Sequence, residues 1–205
     1  MNDQLLDWAN RIRDIAITGM TYCRDDFDRE RYENLIRIAA EMTSYRSGVP
    51  SDTLTDLFLS QYGYPTPKAD TRAAVINDGR ILLVHEKNGK WSLPGGWCDG
   101  DMSVRKNTEK EATEETGLTV TAERIIAIHD WRRHNVCNYA FGVIKFFVLC
   151  RLIGGEFAEN IETDAIGWFG REDLPDGIAT EKNTKEQILL CFDAAEDANR
   201  PIDFD

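Results

Sequence analysis

The stretch LPGGWCDGDMSVRKNTEKEATEETGL, residues 93–118, joins a glycine-containing turn to a segment rich in carboxylates. Ser103 can accept a backbone hydrogen bond at the start of a helix, and Gly117 can adopt the left-handed conformation that commonly ends one. The residues between them are mostly good helix formers. The pattern therefore predicts one helix that begins after Ser103 and ends before Gly117.

The predicted helix gathers its glutamates on one side. With 3.6 residues per turn, Glu111 and Glu115 lie one above the other, and Glu114 is a neighbour of Glu111. Like charges at these spacings destabilise an isolated helix, so we expect a cation to compensate them. Mg²⁺ prefers oxygen ligands and is often held by one or two carboxylates together with substrate phosphates. A solvated acidic face is the alternative, but the flanking turn and cap favour a metal site.

The stretch resembles the Nudix box, in which a glycine and a glutamate precede the helix motif Arg-Glu-apolar-x-Glu-Glu-x-Gly. The matching residues are Gly96 at the opening glycine and Glu111, Glu114 and Glu115 on the helix. The resemblance implies an α/β/α sandwich with a mixed sheet and a hydrolase that depends on Mg²⁺ or Mn²⁺. It also implies that Glu111 and Glu115 bind the metal with help from Glu114, and that Gly96 lies beside the substrate.

Two positions depart from the box. Lys110 stands where the box has its arginine, and Met102 stands where it has its first glutamate. Lysine keeps the positive charge but lacks the planar fork of a guanidinium. Asp99 or Asp101 is a candidate to replace the missing carboxylate, and the number of metal ions stays open.

The resemblance extends beyond the box. The chain is similar to a bacterial subgroup of Nudix hydrolases that has a helical N-terminal extension and includes CDP-choline and ADP-ribose pyrophosphatases. The wider similarity lies in residues 22–33, 91–99 and 145–147. A helical extension of about 63 residues buries little of its own surface, so we expect it to pack on the rest of the chain or on a second copy, and we predict a homodimer formed through it.

Composition limits the partners of the chain. Its 205 residues carry a formal net charge of −12, which argues against a surface built to bind nucleic acid. No apolar run approaches the roughly 18–20 residues of a membrane span, and the N-terminus lacks a signal segment, so we expect a cytoplasmic protein. The five cysteines are scattered without a CxxC pair, which indicates neither a disulfide framework nor a zinc site. Cys150 and Cys191, inside apolar runs, are expected in the core.

A linker with two prolines, residues 64–68, divides the chain into a helical module at residues 1–66 and a Nudix domain at residues 67–205. The module is predicted to contain three helices, with Asp28 capping the second. An apolar stripe at spacings of three and four marks the inward face of the first helix. The stripe consists of Leu5, Trp8, Ile12 and Ile15, and the three helices are predicted at residues 4–20, 28–43 and 51–62.

The second part alternates strands with helices. A hairpin is predicted around Asn77-Asp78-Gly79, because such a triplet between β-branched runs favours a tight turn. Strands on both sides of the carboxylate helix, together with a closing helix, indicate a mixed sheet between helical layers. The further strands are predicted at residues 119–128, 139–152 and 165–169, and the closing helix at residues 184–198.

A basic and aromatic segment follows the strand that comes after the carboxylate helix. Arg132 and Arg133 are candidates to clamp a diphosphate through charge-assisted hydrogen bonds, and Trp131 is a candidate to stack on a base. A solvated hairpin tip is the alternative.

Glu162 is the candidate general base. It lies in an acidic segment before a predicted strand, and a carboxylate on a loop can approach the attacking water when substrate binds. Glu114 on the carboxylate helix competes for this role.

These features predict a metal-dependent pyrophosphohydrolase that splits a nucleoside diphosphate derivative into two monophosphates. CDP-choline and ADP-ribose are the leading substrates, and the sequence does not choose between them. One alternative is a Nudix domain that senses a nucleotide derivative without cleaving it. Another is an enzyme that acts on nucleoside triphosphates or RNA ends.

Overall fold

The structure is a computed structural model that describes residues 3–61, 63–136 and 141–205. Its contacts separate two compact units, the first formed by the chain up to Pro67 together with Phe141 and the second by the other described residues from Lys68 onward. Among the described residues, no helix combines the length and the apolar character that a bilayer crossing requires.

The first unit contains three helices, α1 (Gln4–Tyr22), α2 (Asp26–Ser47) and α3 (Ser51–Leu59). Asp25, rather than Asp28, caps α2, because its side chain accepts a hydrogen bond from the backbone N–H of Phe27. The predicted cap was therefore wrong by three residues.

The inward face of α1 differs from the predicted stripe. Trp8 and Ile15 are 50% and 63% exposed, while Ala9 and Ala16 are buried. The small side chains let α1 approach α2 closely: a Cβ added at Gly19 would lie 2.3 Å from the ring of Tyr32. Close helix approach, which periodicity does not measure, thus selects the buried face.

The second unit is a mixed sheet with helices on both faces. The strand order is β3-β2-β1-β5-β4-β7, and β6 pairs with β2 outside that path. Strands β1 and β5 run parallel, as do β4 and β7, while the other pairs are antiparallel. The strands are β1 (Lys68–Asn77), β2 (Arg80–Glu86), β3 (Trp91–Ser92), β4 (Leu118–Asp130), β5 (Val143–Gly155), β6 (Thr163–Phe169) and β7 (Asp203–Phe204).

Two apolar clusters confirm the predicted α/β/α layering. One contains Ile188 of α6 (Lys185–Glu196) together with Phe147 of the sheet. The other contains Ala112 of α4 (Val104–Thr116) together with Val148, the next residue of β5. Successive residues of a strand point to opposite faces, so α4 and α6 cover opposite sides of the sheet.

The predicted hairpin is confirmed. Asn77 pairs with Arg80, and Asp78 and Gly79 have φ angles of 49° and 72°, as a tight two-residue turn requires. Cys150 and Cys191 are buried, as predicted. Residues 139 and 140 of the predicted long strand lie outside the described residues. The short helix α5 (Trp131–His134) and the strand β7 were not predicted.

Candidate active site

The glycine turn before α4 is hydrogen-bonded to strand β1. The backbone N–H of Thr71 donates to the carbonyl of Gly96 at 2.9 Å, and that of Ala73 donates to the carbonyl of Pro94 at 2.8 Å. Gly95 has a φ of 142°, and a Cβ there would lie 1.9 Å from the carbonyl oxygen of Thr71. The turn can approach the strand this closely because position 95 has no side chain.

Helix α4 has the ends that its sequence predicts. Ser103 caps its start by accepting a hydrogen bond from the backbone N–H of Lys106, and Gly117 follows its end with a φ of 71°. These caps fix the length of the helix and therefore the side on which its glutamates project.

Glu115 connects α4 to the glycine turn. Its side chain is buried, and its Oε2 accepts a hydrogen bond from the backbone N–H of Gly95 at 2.9 Å. Burial raises the pKa of Glu115 to about 7, although the positive charge of Arg72 opposes that rise. The carboxylate therefore stands where a bound cation would favour its ionised form.

Lys110 gathers three carboxylates around its ammonium group. Its Nζ lies 3.1 Å from Asp99 Oδ2, 3.1 Å from Glu111 Oε1 and 3.2 Å from Glu114 Oε2. Hydrogen bonds to Glu111, Asp99 and Glu114 raise the pKa of Lys110, so it stays charged. Of the two aspartates named as substitutes for the missing box glutamate, Asp99 thus belongs to this cluster. The backbone N–H of Met102 donates to the carbonyl of Asp99 at 3.0 Å.

Gly96 leaves room for one of these carboxylates. A Cβ at position 96 would lie 2.5 Å from Glu111 Oε2, which is closer than van der Waals contact allows. A side chain at this position would push Glu111 away from the glycine turn. The opening glycine therefore lets the turn and the helix glutamate share the same edge of the site.

The loop between β5 and β6 brings Glu162 to the box glutamates. A cleft of about 370 Å³ is lined by residues of α4 and of this loop. The lining residues are Lys110, Glu111, Glu114, Glu115, Asn160, Ile161 and Glu162. The candidate metal ligands and both candidate bases thus border one space.

The donor chemistry of this cleft fits a hard divalent cation. Three carboxylates already surround the single positive charge of Lys110, and a fourth, Glu115, is buried with its ionised form disfavoured. Mg²⁺ and Mn²⁺ take such oxygen ligands. Within the described ranges 3–61, 63–136 and 141–205, no three His, Cys, Asp or Glu side chains form a ready-made cage. Binding would therefore require the carboxylates to turn from Lys110 toward the ion.

Comparison with protein families identifies the chain. A model of the NUDIX domain matches residues 67–190, which is more than half of the chain, and covers the glycine turn, α4 and the loop of Glu162. The chain is a Nudix hydrolase. A second model, described as a UDP-X-like, N-terminal oligomerisation domain, matches residues 3–58.

Relatives of this Nudix hydrolase match along most of its length. YjhB of Bacillus subtilis (strain 168), provisionally named an ADP-ribose pyrophosphatase, is 37% identical over 98% of this chain and 96% of its own. The crystal structure of an ADP-ribose pyrophosphatase from Streptococcus suis 89-1591 is 50% identical, with a TM-score of 0.64, over 68% of this chain and all of that one. A UDP-X diphosphatase structure is 33% identical, with a TM-score of 0.65, and covers 98% of each chain.

The basic segment of this Nudix hydrolase lies outside the carboxylate cleft. Trp131 is 5% exposed, so its ring packs in the interior rather than presenting a face for a base. Arg132 donates to Asp130 Oδ2 at 2.8 Å, and the guanidinium of Arg133 lies 4.0 Å from Asp205. The described lining of the cleft includes none of these three residues, and Gly96, the fourth predicted substrate-binding residue, lies beside it against Glu111.

A buried ion cluster beneath the glycine turn was not predicted. Asp70 accepts hydrogen bonds from Arg72 Nη2 at 2.6 Å and from Lys145 Nζ at 2.7 Å, and all three side chains are buried. Burial alone would raise the pKa of Asp70, but the two cations together lower it. Arg72 also donates to the carbonyl of Leu93 at 3.4 Å, so the cluster supports the turn. Charged residues inside predicted strands were the sequence signal of this cluster.

Proposed function

We propose that this Nudix pyrophosphohydrolase cleaves the diphosphate of a nucleoside diphosphate derivative, with ADP-ribose as the first candidate. The observation that carries the proposal is a cleft lined both by the glutamates of α4 and by Glu162 of the loop between β5 and β6. Carboxylates from two separate elements border one space, which is the arrangement that metal binding and proton transfer at one anhydride require.

The metal ligands in this proposal are Glu111 and Glu115, with Glu114 assisting. Bound Mg²⁺ or Mn²⁺ supplies charge neutralisation to the phosphate oxygens of the substrate. Gly95 holds the Glu115 carboxylate through its backbone N–H, and Lys110 holds Glu111 and Glu114. These contacts keep the carboxylates close to one another before the substrate arrives.

Glu162 accepts a proton from the attacking water in this proposal, and Glu114 is the second candidate. The water oxygen forms a bond to one phosphorus as the bond from that phosphorus to the bridging oxygen breaks. The bridging oxygen leaves with the other phosphate, so ADP-ribose would give AMP and ribose 5-phosphate. Such chemistry depends mainly on positioning and on electrostatic stabilisation.

The names of relatives favour ADP-ribose among the substrates. Two of the proteins compared above carry an ADP-ribose pyrophosphatase name, and one of them is 37% identical over nearly the whole chain. The UDP-X diphosphatase structure and the N-terminal family model support a uridine diphosphate derivative as the second candidate. CDP-choline, which the wider sequence resemblance implied, is the third.

We also propose that the helical module forms a homodimer. The N-terminal family model describes an oligomerisation domain, and the module leaves large apolar side chains exposed in one chain. Trp8 and Ile15 on α1 are examples, and a second copy would cover them. Light scattering of the wild type and of Ile15→Ser tests this proposal. A dimer weakened by the substitution is expected, and a wild-type monomer would contradict it.

A substrate panel tests the proposed reaction. The purified protein is incubated with Mg²⁺ or Mn²⁺ and ADP-ribose, UDP-glucose, CDP-choline, NADH or a nucleoside triphosphate, and the products are identified. AMP with ribose 5-phosphate is expected as the fastest product pair. Turnover of triphosphates alone, with release of pyrophosphate, would refute the proposal.

A further inference from the structure

One side chain, Asn160, joins the loop of Glu162 to the end of α4. Its Nδ2 donates to the carbonyl oxygens of Glu114 and Glu115 at 3.1 and 3.0 Å. Its Oδ1 accepts from the backbone N–H groups of Glu162 and Thr163 at 3.0 and 2.9 Å. The donor side of one amide therefore faces the helix while its acceptor side holds the loop.

The helix end explains why an amide belongs here. The last four carbonyl groups of a helix have no intrahelical partner, and α4 ends at Thr116. The carbonyls of Glu114 and Glu115 are two of these groups, and Asn160 donates to both. These are also the backbone groups of a candidate base and a candidate metal ligand. The hydrogen bonds from Asn160 to the carbonyls of Glu114 and Glu115, here called the clasp, therefore act directly on the part of α4 that lines the cleft.

Further contacts hold the loop between β5 and β6 close to the C-terminal end of α4 and to β2. A Cβ at Gly117 would lie 2.3 Å from the carbonyl oxygen of Glu156, so the loop passes directly over the helix terminus. The backbone N–H of Lys87 donates to the carbonyl of Glu162 at 3.2 Å, which ties the loop to the end of β2. The backbone of Glu162 is thus held at its carbonyl by Lys87 and at its N–H by the side chain of Asn160.

Apolar packing contributes little to the position of the chain at Ile161 and Glu162. Ile161 is 87% exposed, and the side chain of Glu162 is also exposed. The place of the Glu162 carboxylate therefore depends on the hydrogen bonds of the backbone, and Asn160 supplies the ones that reach α4. Without that amide the loop would keep the hydrogen bond from Lys87 to Glu162 but would lose its side-chain hydrogen bonds to α4, so the distance between Glu162 and the glutamates of α4 would vary more.

We propose that Asn160 is a positioning residue that holds Glu162 across the cleft from Glu111, Glu114 and Glu115. The inference rests on the proposed function, in which Glu162 takes the proton from water. Asn160 does not touch the reacting atoms; it acts by setting the distance between the loop and α4. A substrate-bound loop that drifts would keep its binding contacts but lose proton transfer, so kcat should fall more than KM changes.

Two substitutions separate the two sides of the amide. Asn160→Ala removes both sides. Asn160→Asp keeps oxygen acceptors for the N–H groups of Glu162 and Thr163 but cannot donate to the carbonyls of α4, and its charge is unfavourable at a helix C-terminus. Asn77→Ala, at the exposed end of β1 beside the hairpin turn, is the control for removing an exposed asparagine from the same unit.

The kinetic test measures kcat and KM for these variants and repeats Asn160→Ala in a Glu162→Gln background. We expect kcat to fall at least about tenfold in both Asn160 variants, with KM within about threefold and Asn77→Ala unchanged. In the Glu162→Gln background, adding Asn160→Ala should lower kcat by less than about twofold relative to Glu162→Gln alone. If Asn160→Asp keeps the wild-type kcat, the hydrogen bonds to the N–H groups of Glu162 and Thr163 are enough and those to α4 are not needed. If Asn160→Ala lowers kcat as strongly in the Glu162→Gln background as in the wild type, Asn160 does not act through Glu162. Either result overturns the proposal.

Hydrogen exchange gives a second readout that does not depend on the substrate. Peptides covering residues 156–163 should exchange at least about tenfold faster in Asn160→Ala than in the wild type, while peptides of α6 should not change. Unchanged exchange in the loop would show that the clasp is absent, whatever the enzyme hydrolyses. Faster exchange with unaltered kcat, beside a strong loss in Glu162→Gln, would leave the proposed function standing and refute the positioning role.

Discussion

Helix α4 and the segment of Trp131, Arg132 and Arg133 were both predicted as functional from charge and residue type. The structure brings the glutamates of α4 to one cleft with Glu162, whereas it buries Trp131 and turns Arg132 toward Asp130. Spacing within a capped helix fixes which side chains share a face. Composition within a short segment does not, since a neighbouring acid or the core can take each side chain. In this chain, helix spacing therefore predicted which side chains share a cleft, whereas local charge did not.

The two regions also differ in how their charges are paired. Lys110 is shared by Glu111 and Glu114 of α4 and by Asp99 of the glycine turn, so its contacts join two elements. Arg132 pairs with Asp130, two residues away, on the surface. A local surface pair contributes roughly 0–1 kcal/mol and fixes little beyond itself. The following predictions test whether this contrast reflects function.

Glu115→Gln should have the largest effect. We expect activity to fall by roughly 10³-fold, because the substitution removes a charged ligand from the proposed metal site while the amide can still fill the buried position. The circular dichroism spectrum should be unchanged. Glu123→Gln, at an exposed pair with Arg151, is the matched control and should keep full activity. A Glu115→Gln enzyme within about tenfold of the wild type would contradict the assignment.

Glu162→Gln should have the next largest effect. General base catalysis contributes about 10²–10⁴-fold in enzymes, so we expect kcat to fall by about 10²-fold with a smaller change in KM. Glu159→Gln, in the same loop, is the control and should leave kcat within about twofold. A stronger loss in Glu114→Gln than in Glu162→Gln, with metal binding intact, would transfer the base role to the helix.

The buried carboxylate of Glu115 should make metal-free stability depend on pH. Its pKa is raised from an ordinary value of 4.5 to about 7, mainly by burial, so the folded state binds this proton more tightly than the unfolded chain does. The resulting stabilisation is complete below pH 4.5 and is lost as the pH rises through 7. The shift corresponds to at most about 3 kcal/mol.

Urea unfolding in EDTA at pH 5 and pH 8.5 measures this difference. Wild type and Glu115→Gln should have similar free energies of unfolding at pH 5, and the variant should be the more stable protein at pH 8.5. Added Mg²⁺ should close that gap for the wild type. An equal difference between the two proteins at both pH values would show that burial does not disfavour the Glu115 charge.

Arg133→Ala should have the smallest effect. The guanidinium lies 4.0 Å from Asp205 and away from the described lining of the cleft, so we expect kcat/KM to stay within about threefold. Arg132→Ala should behave in the same way. An increase in KM of more than tenfold in either variant would restore the basic segment as a substrate clamp and would weaken the contrast with α4.

The sequence predicted those parts of the fold that depend on local chemistry. Ser103 and Gly117 define α4, and Asp78 with Gly79 forms the hairpin turn, because capping and positive φ angles are properties of single residues. The prediction of the buried face of α1 was wrong, because that face depends on how closely another helix approaches at Gly19.

The parts of the site that sequence missed are set by tertiary contacts. Asp70 and Arg72 share one face of β1, but Lys145 reaches Asp70 only when β1 and β5 pair, and nothing in either strand alone indicates that pairing. Asn160 is separated by more than forty residues from the helix carbonyls to which it donates. Box spacing could predict the glutamates of α4, whereas the residues that hold the surrounding segments in place required the structure.

Binding of Mn²⁺ tests most directly whether the carboxylates of α4 gather a cation against a diphosphate. Calorimetric titrations compare the wild type, Glu115→Gln and Glu123→Gln, each with an excess of a nonhydrolysable ADP-ribose analogue in which methylene replaces the bridging oxygen. We predict that Glu115→Gln weakens Mn²⁺ binding by at least about tenfold while Glu123→Gln binds as the wild type does. Equal affinity in all three proteins would contradict the account.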